Sequence, residues 1–350
     1  MNNLITSIKF AEISSVIFSG VFLPDQIKSL NIKNYKKVNQ FGKYLYIRNY
    51  NFQLKENDII FSRIEDLKLL FYLLSDVNLV NIKIICHHSD LSLTKNIFKK
   101  KPKCVSKIYS VNVDHISDKL ISIPIGIANK HEKNLKEEDF VNIQNSIENN
   151  FSGYFKKNLL FVNFQESTNY KVRSGIYEIY KKQEWARVEK PTLKKETYIN
   201  FLGEANFTLT PYGNGYDTHR FWEALYAGSI PVLEYHVSYN YAEDLPVLFV
   251  DDIKNVNESI LRDYINNLDL KKIKFEKLFF EYWNLKITKE MIQDDTEVLI
   301  SKKNLIITYF ELKYYLNFWL INKRKKLIFY HIRIKKKLSQ LTYLVVDKKI

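Results

Sequence analysis

Cysteine is nearly missing from this chain: Cys86 and Cys104 are the only two in 350 residues. They stand in no metal-ligand spacing and are too few for a disulfide framework, so the sequence implies two free thiols and a reducing compartment. Long apolar runs are missing as well. The patch 16–23 is short, Lys9 and Glu12 interrupt the N-terminal stretch, and no run approaches the ~18 residues a membrane helix needs. Neither a signal peptide nor a span is expected, which points to the cytoplasm. Acidic residues are scarce in one place. From Ile321 to the end, ten Lys and Arg face Asp347 alone, so most of the +14 net charge lies in this tail.

What is present is core material. With 46% hydrophobic residues the chain can build two domains, each with its own core, and the expected division is 1–150, 151–300 and a basic tail, 301–350. Short strand-like runs at 44–47 and 59–61 precede an amphipathic helix over 65–75, where Leu67, Leu70, Phe71 and Leu74 are spaced three and four apart. Strands are expected at 82–86, 108–113 and 120–127, then a charged, Asn-rich linker or surface helix over 130–150. Beyond it come a strand at 158–164, a polar loop to Lys171, a helix starting near Arg173, a helix over 194–202, a strand at 247–250 and a helix over 257–268. This alternation is what a parallel, doubly wound α/β sheet requires. The run 273–283 reads as an aromatic amphipathic helix packed on the sheet or returning to the first domain.

The chain is organised around 207–234. Phe207, Thr208, Leu209 and Thr210 form a β-prone run ending at Pro211, and Gly213-Asn214-Gly215 follows, where backbone can take positive φ. Asp217 or Thr218 can cap a helix that carries Arg220 and Glu223 and stops at Gly228, before the strand residues Ile230 to Leu233. Strand, glycine loop, helix and strand together present backbone N–H groups and a positive helix end at the edge of a sheet, where anionic ligands bind. His219, Arg220 and Glu223 share one helix face; Phe221, Ala224 and Leu225 supply the packing side. A guanidinium at Arg220 can bridge two phosphate oxygens, and the Glu223 carboxylate can accept from vicinal hydroxyls of a ribose or sugar. An Arg–Glu pair decorating an ordinary helix is the plainer alternative; the glycine loop ahead of it favours a nucleotide-sugar ligand.

These residues resemble the donor-binding motif of exostosin-family glycosyltransferases: Pro211, Gly213, an Arg nine residues after the Pro at Arg220, then Glu223-Ala224-Leu225 and Pro231-Val232. The stretch is also distantly similar to the α1,3-fucosyltransferases, whose Thr-Glu-Lys motif falls on Thr218, His219 and Arg220. The segments around Ser89-Asp90, Asn112 and Pro124-Ile125-Gly126-Ile127 are similar to the first-domain signature of bacterial exostosin-like transferases. The resemblance implies a GT-B fold of two facing Rossmann-like domains. It implies a nucleotide-sugar donor on the second domain, a glycan or lipid-linked glycan acceptor on the first, and inversion at the anomeric carbon. Retaining enzymes of this architecture carry a Glu eight residues before the ribose-binding one, and here that position is Gly215. By resemblance Arg173 supplies a second cation to the donor pyrophosphate, with Asn214, Gly215, Thr218 and His219 along the phosphate loop. Two guanidinium groups could then offset leaving-group charge with no divalent metal and no resident cofactor.

Two features stay open on the residues alone. His87-His88-Ser89-Asp90 lies at the C-terminal end of a strand; Asp90 or His88 could take a proton from an acceptor hydroxyl, or the cluster could simply form an Asx turn with Asp90 capping the next helix. The tail from Leu305 mixes Tyr309, Phe310, Tyr314, Tyr315, Phe318 and Trp319 with lysine blocks, a pattern that fits an anionic membrane surface or a nucleic acid. Charges flanking Leu327-Ile328-Phe329 favour the membrane, and no nucleic-acid partner is expected. The rival to an enzyme is a non-catalytic basic adaptor on a Rossmann-like scaffold.

Overall fold

The computed structural model describes residues 4–128, 137–140, 151, 156–289 and 298–301, and within the tail 307–313, 315, 316, 319, 320 and 323. Residues Met1–Ser301 form one compact unit and Lys302–Ile350 another. The expected linker at 130–150 and the lysine blocks from 324 onward therefore lie almost wholly outside the described residues.

Two five-stranded parallel sheets organise the first unit. In one, the strands Val16–Ile17, Ile59–Ser62, Ile82–Cys86, Val105–Ser110 and Leu120–Ser122 lie side by side in chain order. In the other, Ala186–Val188 flanks Asn158–Val162, followed by Ala205–Leu209, Ile230–Glu234 and Leu248–Val250. Sequence pattern explains the placement. Ile59–Ser62, Ile82–Cys86 and Ala205–Leu209 are buried at every position, and such continuously buried, mostly apolar runs are what a parallel strand covered on both faces requires. Lys83 is the charged residue among them. Its buried Nζ donates to Ile287 O at 2.9 Å and ties the helix Phe280–Thr288 to the first sheet. The strand Val298–Ser301 likewise pairs antiparallel with Asn51–Leu54 in the first half.

Several boundaries differ from the sequence expectation, each for a local reason. The strand expected at 108–113 runs Val105–Ser110, because Asn112 turns away at φ 51°. The strand expected at 120–127 stops at Ser122, ahead of Pro124, which has no N–H to give. The helix expected over 65–75 is a 3-10 turn, Ile64–Asp66, feeding Leu67–Leu73. That expected over 273–283 breaks at Phe279, leaving the turn Phe275–Leu278 and the helix Phe280–Thr288. A helix was expected to begin near Arg173; instead the helical turn Tyr170–Arg173 ends there, and Gly175, at φ 79°, separates it from Ile176–Tyr180. Cys86 and Cys104 are both buried and free. Two Rossmann-like halves whose strand ends face one another are the GT-B arrangement. Among the described residues no helix is long and apolar enough to cross a membrane.

Candidate active site

The second sheet reverses its order between Asn158–Val162 and Ala205–Leu209, since the next strand in sequence, Ala186–Val188, sits on the far side of the first. Loops leaving the C-terminal ends of those two strands must diverge there, opening a crevice where parallel sheets bind ligands. A cleft of about 290 Å³ occupies that point. From the second half it is lined by Gln165, Thr168 and Arg173 after the one strand and by Gly213, Asn214, Gly215, Thr218, His219, Arg220 and Glu223 after the other; Asp90 and Ile125 close it from the first half. A larger hollow of about 670 Å³ lies at the opposite, N-terminal strand ends, beside Asn158, Trp185 and Asn206. Parallel sheets bind ligands at the other, C-terminal end.

Arg173 is buried and spends three donors on carbonyls. Nε reaches Tyr212 O at 2.8 Å, Nη1 reaches Gln165 O at 2.9 Å and Nη2 reaches Pro211 O at 2.9 Å. It braces the loop while its charge meets no carboxylate among the described residues. Burial and the neighbouring Arg220 charge hold its pKa down at about 10. Arg220, half-buried on the helix His219–Tyr226, has a buried Nε with no hydrogen-bond partner among the described residues. Two cations thus share one crevice, and among the described residues neither forms an ion pair with the carboxylates that also line it, Asp90, Asp217 and Glu223. Glu223, one turn on, accepts from Tyr198 OH at 2.8 Å. Phe221, Trp222, Ala224, Leu225 and Tyr226 bury the other face, and Gly228 ends the helix at φ 71°, both as the residue pattern implies.

The glycine loop differs from expectation. Neither Gly213 nor Gly215 has positive φ. The Pro211, Tyr212 and Gly213 carbonyls turn toward Arg173 and Asn169, and the Gly213 N–H closes onto Gly215 O at 3.1 Å. The loop is therefore no nest of free amides; positive character comes from the guanidiniums and the helix start. Gly215 is required for another reason. A Cβ there would fall 2.6 Å from Asn112 Nδ2 of the first half.

His88 is not brought into the cleft. Its Nδ1 accepts from Val21 N–H at 3.2 Å and its Nε2 meets Ser7 Oγ at 2.8 Å, while Phe22 and Phe61 pack edge-on against the ring. Desolvation, then the His87 and Arg63 charges, hold its pKa well below the usual histidine value. His87 lies deeper, its Nε2 near Pro124 O, and burial lowers it to about 3. Asp90 is exposed at the rim and caps no helix; Thr94 caps the helix Lys95–Phe98.

Residue patterns gave no sign of the groups that join the halves. Asp217, a candidate cap, instead accepts from Ile125 N–H at 2.8 Å, Tyr241 OH at 2.7 Å and Trp222 Nε1 at 3.1 Å, and its own N–H donates to Asn112 Oδ1 at 2.9 Å. Thr218 stands at the N-cap position without a side-chain bond. Burial pushes the Asp217 carboxyl up to about 7 despite those donors. His219 Nδ1 lies 2.7 Å from Gly126 O, a second strut across the seam. Tyr198 could not be found from its helix pattern, since its partner Glu223 is 25 residues away.

Residues 131–304 match the family model of the RXYLT1 C-terminal domain. No curated protein sequence matches the chain. Similar solved structures include AviGT4, a glycosyltransferase involved in avilamycin A biosynthesis, at 11% identity over 64% of this chain and 75% of that one, with a TM-score of 0.31. Another is an α1,3-fucosyltransferase with GDP-fucose, at 14% identity over 66% of this chain and 88% of that one, with a TM-score of 0.30. The matched stretch, 131–304, contains the whole run from Arg173 to Glu223, and through it the chain is an exostosin-like glycosyltransferase.

Proposed function

We propose that the chain transfers a sugar from a nucleoside-diphosphate donor, a UDP-sugar in preference to a GDP-sugar, to a hydroxyl of a glycan or lipid-linked glycan, with inversion, in the synthesis of a surface polysaccharide or glycoconjugate. The observation that carries this reading is the pair of cations, Arg173 and Arg220, neither of them in an ion pair among the described residues, at the point where the sheet order reverses. A diphosphate supplies the missing negative charge, and the same guanidiniums stabilise it as it leaves, so no divalent metal is required. Glu223 holds the ribose, Asn214, Gly215 and Thr218 flank the phosphates, and Asp90 meets the acceptor from the first half. The domains follow the halves: acceptor on 1–150, donor on 151–300.

The test is release of UDP or GDP from a panel of UDP-sugars and GDP-fucose with water as acceptor, in the presence of EDTA. Turnover of one donor, undiminished by EDTA, is expected; a chain stabilised by duplex RNA at low salt but by neither UDP nor GDP would be an adaptor instead. For the tail, Tyr309, Leu312, Leu316 and Trp319 are exposed on its helical residues, which supports a peripheral attachment to an anionic cytoplasmic membrane face. Sedimentation with phosphatidylserine vesicles checks it, and failure to pellet would remove the attachment without touching the catalytic reading.

A further inference from the structure

We propose that His219 is the catalytic base of the transfer, an assignment that rests on the donor-site reading above. A carbonyl oxygen can only accept, so the 2.7 Å contact with Gly126 O places the hydrogen on Nδ1 and, in the neutral ring, leaves the lone pair on Nε2. Among the described residues Nε2 has no hydrogen-bond partner, and His219 lines the cleft. The strut also fixes where the ring stands. Gly126 belongs to the acceptor half and His219 opens the helix that carries Arg220, so the free nitrogen is pinned at the seam where an acceptor hydroxyl must reach a donor held by Arg220.

The other titratable groups of the cleft are worse placed. The Asp217 carboxylate is buried and already accepts from Ile125, Tyr241 and Trp222. Glu223 accepts from Tyr198. Asp90 is exposed and no hydrogen bond among the described residues holds it, which suits a group that binds an acceptor hydroxyl better than one that must be fixed within reach of the reacting proton. His219 Nε2 takes the hydroxyl proton as that oxygen bonds to the anomeric carbon. The bond from that carbon to the diphosphate oxygen breaks, its electron pair leaves on the phosphate beside Arg173 and Arg220, and the imidazolium returns its proton to water.

The experiment compares wild type, His219→Ala and His219→Gln in two measurements: UDP or GDP release from the donor panel, and the shift in melting temperature on adding UDP or GDP. Gln can still donate to Gly126 O but offers no basic nitrogen, so it separates bracing from proton transfer. Both variants should keep the diphosphate shift and lose roughly 10²–10⁴-fold in release rate. Added imidazole should recover part of the rate in His219→Ala. A rate in His219→Gln within about threefold of wild type, a parallel loss of the diphosphate shift, or a lost rate that imidazole does not raise overturns the assignment. Wild type that binds UDP or GDP but turns over no donor overturns it too, since this base should activate water. Wild type that neither binds nor turns over sinks the donor-site reading and takes this assignment with it.

Discussion

The two halves share a sheet architecture and treat buried charge in opposite ways. In the first, Arg48 meets Asp66 at 2.6 Å, with Tyr46 OH donating to the same carboxylate, and Arg63 meets Glu65 at 2.5 Å. In the second, Arg173 and Arg220 feel one another's charge and, among the described residues, form no ion pair with the carboxylates lining their cleft. A buried ion pair is complete in itself, whereas an unpaired buried cation is a standing cost that a fold keeps only where something else supplies the anion. The first half pairs these arginines within the chain. On the donor-site reading, a ligand's anion completes the second.

Matched truncations break this comparison most directly. Arg48→Ala strands the buried Asp66 carboxylate and should cost roughly 3–5 kcal/mol of folding free energy in chemical denaturation. Arg220→Ala takes one partner from the buried Tyr198 and relieves repulsion on Arg173, so it should cost far less stability than Arg48→Ala, while the UDP or GDP thermal shift disappears and turnover falls roughly 10²–10³-fold. Equal destabilisation by the two would show that Arg220 is structural and remove the ground for a diphosphate site.

Protonation sharpens the contrast. His87 and His88 are depressed in the fold, so the stability they contribute is present above the unfolded value of 6.5 and is lost as pH falls toward their folded values, about 3 for His87. Asp217 is raised, so its contribution is full below 3.8 and is lost as pH rises through about 7. Between roughly pH 4 and 6.5 the two histidines oppose Asp217, and these three groups together contribute a fall of about 1.4 kcal/mol for each unit of acidification. Asp217→Asn removes the opposing group and should steepen the measured slope by about 1.4 kcal/mol per unit. An acid limb of unchanged steepness in this variant would mean that Asp217 is ionised throughout.

How much of this was legible follows the range of the interactions. Parallel strands, the helix His219–Tyr226 and its cleft-facing Arg220 and Glu223 are written in local periodicity, and the resemblance to exostosin-like enzymes lies in that same short stretch. What joins the halves is written nowhere locally. Asn112, Asp217 and Gly215 meet across about a hundred residues, and Gly215, expected for its φ, is instead needed for the absence of a side chain. Gly215→Ala should cost about 1–3 kcal/mol by pushing Asn112 aside, with both sheets intact. A neutral effect would show that the seam yields, and the loop would again be open to an anion-binding conformation.

The smallest expected effect lies at Tyr198, and it asks whether the second half is as unfinished as its cations suggest. Burial, then the Glu223 charge, raises the Tyr198 phenol far above its ordinary value, so it remains a donor at any working pH and keeps one carboxylate oxygen occupied. The other oxygen is then oriented for vicinal hydroxyls. Tyr198→Phe removes one hydrogen bond to a charged group and, on the proposed reading of Glu223 as the ribose ligand, should weaken donor binding by about 1.5 kcal/mol or somewhat more, roughly a tenfold rise in KM with kcat nearly unchanged, because a ribose would be held equally before and during the reaction. Equal falls in kcat and kcat/KM would instead place Glu223 against the reacting sugar, where its charge strengthens in the transition state.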